Sequence, residues 1–104
     1  MNYPNNSAAI LSLISQIDKA VGKDDYRTGL ELSVQLAIKY GRLYYIEDVV
    51  ELCEFTCKET MDIRERANAG SIEDAFVYAL MLDQDEDSFA YYLNMVAEAG
   101  VPIA

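Results

Sequence analysis

The chain has 104 residues, 52% of them hydrophobic, with 8 Tyr, 3 Phe and a formal charge of −10 from 18 acids against 8 bases. Such a chain is expected to form one domain, residues 1–104, and is too apolar for wholesale disorder. Its charge argues against bare nucleic acid as a ligand, because affinity there rests on cations displacing phosphate counterions, and against anionic membrane surfaces for the same reason.

The opening MNYPNNSAAI lacks the basic start of a signal peptide. No apolar run approaches the roughly 20 residues of a membrane span, so a cytoplasmic location is expected. Asn5, Asn6 and Ser7 are candidate caps for a first helix. In it Ile10, Leu13, Ile14, Ile17 and Val21 share one face, with Gly22 as a left-handed stop.

Asp24 and Asp25 open a second element that reaches Tyr40, and here the signals conflict. Leu30, Leu32, Val34, Leu36, Ile38 and Tyr40 alternate with polar or small residues, which is strand periodicity; Gly41-Arg42 would then turn a hairpin across residues 30–47. Against this, the segment is rich in good helix formers. Tyr26, Leu30, Val34, Ala37 and Ile38 also make a helical stripe ending at Gly41, and a lone hairpin is marginal. Helix is preferred.

Leu43 to Met61 reads as one amphipathic helix, a rod of roughly 28 Å. At 100° per residue Ile46, Val49, Val50, Cys53, Thr56, Cys57 and Thr60 form an apolar face, opposite Glu47, Glu51, Glu54, Lys58 and Asp62. Glu54 and Lys58 are its favourable i,i+4 pair. Tyr45 is expected toward the core and Tyr44 toward the acidic side. Arg64 falls on the apolar face, so packing is expected to fade before Gly70 ends the helix.

Ser71 and Asp74 resemble a capping box for the next segment, Ile72 to Leu82, which is apolar nearly all round. An acidic turn, Asp83-Gln84-Asp85-Glu86-Asp87-Ser88, leads into a last helix from Phe89 to Ala99, stopped by Gly100 and Pro102. That turn opens like a calcium loop, but Ser88 stands where the turn needs glycine and Asn94 where it needs a bidentate Glu. The better reading is an acidic turn in which Asp85 or Asp87 caps the last helix and suits its dipole.

Chemistry-bearing patterns are sparse. The chain has no histidine and two cysteines, Cys53 and Cys57, whose place on the apolar face suggests buried reduced thiols rather than half of a zinc site. No metal site and no cofactor are expected, and catalysis is not. The charge is lopsided, −3 over residues 1–66 and −7 over residues 67–104, where no Lys or Arg occurs.

The expected fold is therefore an all-α bundle of four or five helices, orthogonal or up-down. It is expected to dimerise through Phe76, Tyr78, Tyr91 and Met95, because the last two helices lack an outer polar face. The expected function is an acidic binder for a basic protein surface, carried by Tyr44, Glu47, Glu51, Glu54, Glu73, Asp74, Asp83, Asp85, Glu86 and Asp87. In size and charge it is similar in kind to small phage or plasmid anti-defence inhibitors and to toxin immunity proteins, some of which mimic nucleic acid. The alternative is a small dimeric assembly or secretion chaperone covering an apolar segment of a client.

Overall fold

Turn chemistry divides the chain more finely than apolar periodicity does. The computed structural model describes residues 7–82 and 86–100. Among these are six helices and no strand: α1 (Ser7–Gly22), α2 (Tyr26–Tyr40), α3 (Ile46–Leu52), α4 (Cys57–Asn68), α5 (Ile72–Met81) and α6 (Asp87–Glu98). Residues 30–47 thus hold no hairpin. Asp25 caps α2 by accepting from the Thr28 N–H, and Gly41, at φ 68°, closes it in the left-handed region where glycine carries no Cβ penalty. The left-handed stop expected at Gly22 falls instead on Asp24, at φ 61°, whose carboxylate accepts the Tyr26 hydroxyl at 2.9 Å.

The continuous rod from Leu43 to Met61 does not form, and this is the source of the extra helix. Residues 41–45 are not helical, Tyr45 stands at φ 58° before α3, and the chain breaks again over Cys53–Thr56 with Glu54 at φ 47°. The cause of the second break is a capping box. Thr56 Oγ1 accepts from the Glu59 N–H at 3.1 Å, and the Glu59 carboxylate accepts from the Thr56 N–H at 3.1 Å. Two orphan donors are satisfied at once, and a helix starts where periodicity would have run one through. The expected Glu54–Lys58 pair is replaced by Lys58–Asp62 at 3.9 Å. With the phase reset, Arg64 faces solvent while Ile63 and Ala67 carry the packing on to the end of α4.

Arg27 of α2 secures the break from outside. Its guanidinium pairs bidentately with Glu59, donates to the Cys53 carbonyl at 3.2 Å and stacks 4.4 Å from the Phe55 ring centroid. Both ion-pair partners are exposed enough (49% and 36%) for water to screen the attraction, so the geometry matters more than the charge. The Arg27 hydrogen bond, then that of the Thr56 backbone, holds the Glu59 carboxyl down at about 2 from an ordinary 4.5. Because the folded value is the lower one, this stabilisation is complete above pH 4.5 and fades as pH falls toward about 2. Arg27→Met is expected to lower Tm at neutral pH by about 4–8 °C and to flatten this acid limb. Melting curves of wild type, Arg27→Met and Glu59→Gln between pH 2 and 7 check it; an acid limb unchanged in both variants would exclude the clamp.

The two thiols part company at the same break. Cys53 is buried, and burial pushes its thiol up from the ordinary value despite Arg27 nearby, whereas Cys57, the first residue of α4, is exposed. A buried pair is thus not what forms. A thiol reagent should titrate one cysteine in the native protein and two in denaturant; Cys57→Ser should remove the fast one.

The molecule measures 36 × 36 × 23 Å, and 23 Å is about two helix diameters, so only a helix in the middle can be covered on several sides. That helix is α5, which packs on α2, α3, α4 and α6 and buries Ala75, Phe76, Val77 and Ala79. Its nearly all-round apolar sequence is accounted for by this position. Ser71 caps it, accepting from the Asp74 N–H while donating to the Asp74 carboxylate at 2.6 Å. The N-cap of α6 is Glu86, with no side-chain cap bond, and Asp87 sits in the first turn; Asn5, Asn6 and Asp85 lie outside the described residues.

Candidate partner-binding groove

Residue pairs at i,i+4 spacing on α3, α5 and α6 line one concavity of the surface. α3 and α6 both pack on α5. At about 1.5 Å per residue the seven residues of α3 span only ~10 Å, against ~15 Å for α5 and ~18 Å for α6. α3 cannot cover both neighbours. The space left is a groove of about 340 Å³ whose floor is Phe76 and Leu80 of α5 and whose far wall is Phe89 and Leu93 of α6, with Leu43 and Leu82 also lining it.

The near wall is Ile46, Glu47, Asp48 and Glu51 of α3. Ile46 is buried and turns its side chain inward, while the three acids are exposed. None of the three has an ion-pair partner among the described residues, although three other acids, Glu59, Asp62 and Asp74, do. Glu47 and Asp48 stand in the first turn of α3, where the helix dipole favours negative charge. The result is an apolar trough with an acceptor-only rim along one side. A shallower depression of about 210 Å³ continues it past Leu43 to Tyr44 and Tyr45.

The acids and tyrosines singled out by the sequence are not gathered in one place. Glu47 and Glu51 line the groove, and Glu86 and Asp87 are exposed at the start of α6, close in the chain to Leu82 and Phe89. Asp83 and Asp85 lie outside the described residues. Glu54 is exposed in the α3–α4 break. Glu73 and Asp74 line a different depression, of about 450 Å³, with Arg27 and Arg66. Asp74 is not free to dock a partner: Arg66 pairs with it at 3.2 Å and Ser71 donates to it.

The two tyrosines at the start of α3 are placed opposite to expectation. Tyr44 is half-buried and donates its hydroxyl to Asp18 of α1 at 3.0 Å, a bond that pushes its pKa up, while Tyr45 is exposed. Helical phase does not extend to them, because the helix begins only at Ile46.

Phe76 is 2% exposed within a single chain, so it belongs to the core and to the groove floor rather than to a face that meets a second copy. Tyr78 and Met95 are half-buried and Tyr91 is exposed. Tyr78 and Tyr91 both pack edge-on against the buried Tyr92 ring, at 4.9 and 5.0 Å. Tyr92 in turn donates its hydroxyl to Asn68 Oδ1 at 2.7 Å, tying α6 to α4.

Sequence reasoning missed Asp48 and the apolar lining apart from Phe76, which it assigned to a dimer face. The available signal was the run of large apolar residues in the last helix, where Phe89, Leu93 and Met95 are only partly buried. No protein-family model, curated protein or solved structure matches this chain. No helix among the described residues is long and apolar enough to cross a membrane.

Proposed function

We propose that this protein is a non-enzymatic binding factor that uses the α3–α5–α6 groove to occupy a basic region of a partner protein, a nucleic-acid-binding site being one such region. The observation that carries this is the pairing of three unpartnered carboxylates with an apolar trough on one surface. Lys and Arg have apolar stems and cationic heads, and such a surface suits both parts of them. The net charge of −10 adds a long-range pull on basic partners that salt would weaken.

Magnitudes decide which part does the binding. Exposed ion pairs contribute about 0.2–1 kcal/mol each, so the rim alone holds nothing firmly. Burying one large apolar side chain is worth about 1.5–3 kcal/mol. A few of these in the trough give micromolar affinity once the cost of association is subtracted. Charge then selects the partner and speeds the encounter.

A chaperone that covers a client segment is favoured by the same apolar floor, and a dye that fluoresces on apolar surfaces would report the groove directly if it bound the native protein. The decisive experiment is retention from a lysate of the native host, compared between wild type and a Glu47→Lys/Asp48→Lys/Glu51→Lys variant. Wild type is expected to retain a basic protein that a salt gradient elutes, and the variant to lose it with an unchanged helical spectrum. Equal retention by the two, or none by either, would end the proposal.

A further inference from the structure

Three features of the groove restrict what can lie in it. Its floor and both long walls are helices, whose mid-helix backbone N–H and C=O groups are spent on one another, leaving as backbone donors only the N–H groups in the first turns of α3 and α6. No strand, and hence no open sheet edge, exists among the described residues to pair with an extended guest. The polar groups on its lining are the carboxylates of Glu47, Asp48 and Glu51, which accept hydrogen bonds and donate none. An extended peptide laid along this floor would lose water from a run of its own carbonyls, and the few first-turn N–H groups of α3 and α6 would leave most of them unpaired. A helix satisfies its own backbone.

The shape agrees with the chemistry. The ridges Glu47/Glu51 and Phe89/Leu93 each repeat at i,i+4, the spacing into which side chains of another helix interdigitate, over a floor whose partly exposed residue is Leu80, with Phe76 buried beneath. α3 and α6 both pack on α5, and the groove lies between them along the α5 surface. At ~15 Å, α5 matches a guest of about three turns, with about four aliphatic side chains directed inward.

Building on the binding function proposed above, we infer that the occupant is a basic amphipathic helix of a partner protein, with Leu-like residues at i, i+3, i+4 and i+7 in the trough and Lys or Arg along the flank facing α3. The acidic rim chooses this occupant over a second copy of the chain, whose whole sequence offers only 8 basic residues against 18 acids.

The probe is a fluorescein-labelled 16-residue peptide with leucine at those spacings and Lys or Arg elsewhere, read by anisotropy. Two companions carry paired prolines at the centre, or Glu in place of every cation. The basic helix is expected to bind in the micromolar range and to become helical on binding, and each companion to bind at least about tenfold more weakly. Leu43→Glu, at a groove residue that is 54% exposed and so tolerant of change, should weaken it similarly. So should Glu47→Lys/Glu51→Lys, whereas Glu65→Lys/Glu98→Lys, with the same change in net charge away from the groove, should weaken it less than threefold.

Equal binding of the proline peptide would overturn the helix and leave the groove as the binding site. Equal loss in the two double variants would show attraction by bulk charge alone and overturn the groove as the site. Failure of every peptide, alongside a host protein that wild type retains and the triple variant does not, would remove the amphipathic helix while the binding function stands.

Discussion

Phe76→Ala is expected to lower the free energy of unfolding by about 3–5 kcal/mol, the range for emptying a buried aromatic site. The ring is almost wholly enclosed, in the central helix, among residues from every helix that packs on α5. Collapse of the surroundings would relieve little of the cavity, because α5 is held by four neighbours. Set against a total of about 5–15 kcal/mol for a domain of this kind, the loss leaves a protein that melts many degrees lower. Urea unfolding of wild type, Phe76→Leu and Phe76→Ala should show a small step and then a large one, at a midpoint independent of protein concentration. A large step that shrank with rising concentration would instead place Phe76 between two copies.

Where propensity and a stop signal outweigh the apolar alternation, the element is legible in the sequence. The Tyr26–Tyr40 helix was decided correctly by propensity and a glycine stop, against an alternation that imitates a strand because α2 is buried on two adjoining faces. Leu30, Val34 and Ala37 face the main core, and Gly29, Ser33 and Leu36 are buried beside α1, so apolar residues recur too often for one helical stripe. Where the rod from Leu43 to Met61 was expected, pattern and chemistry disagreed. Thr56-Cys57-Lys58-Glu59 carries the Thr-x-x-Glu signature of a helix start inside an unbroken apolar stripe, and the cap won. Arg27, distant in sequence and adjacent in space, reinforces that outcome and could not have been assigned there from sequence. The acidic half of the groove was visible as Glu47 and Glu51. Its apolar half was not, because whether a leucine such as Leu80 or Leu93 lines a trough or fills a core depends on the length of the helix beside it.

Gly29→Leu is expected to cost about 2–3 kcal/mol, while Gly29→Ala should lie close to neutral. A Cβ built on Gly29 meets Val21 Cγ2 at 3.2 Å, Val49 Cγ1 at 3.7 Å and Ala20 Cβ at 3.9 Å, so α1 and α3 both close upon α2 at this one residue. The alanine methyl needs Val21 to yield by a few tenths of an ångström, and the roughly 1 kcal/mol that alanine gains over glycine inside a helix offsets that strain. Leucine has further carbons to place, between α1 on one side and α3 on the other. It must push α1 away, and α1 packs chiefly on α2. One turn on, Ser33 is wholly buried with its hydroxyl unpartnered, a donor stripped of water for nothing in return. Ser33→Ala should therefore raise stability by about 1 kcal/mol. The pair has opposite signs at neighbouring positions of one seam, so no general tolerance or fragility of α2 could produce both. A Gly29→Leu variant as stable as wild type, or a Ser33→Ala variant less stable, would mean that α1 does not lie against α2 as described.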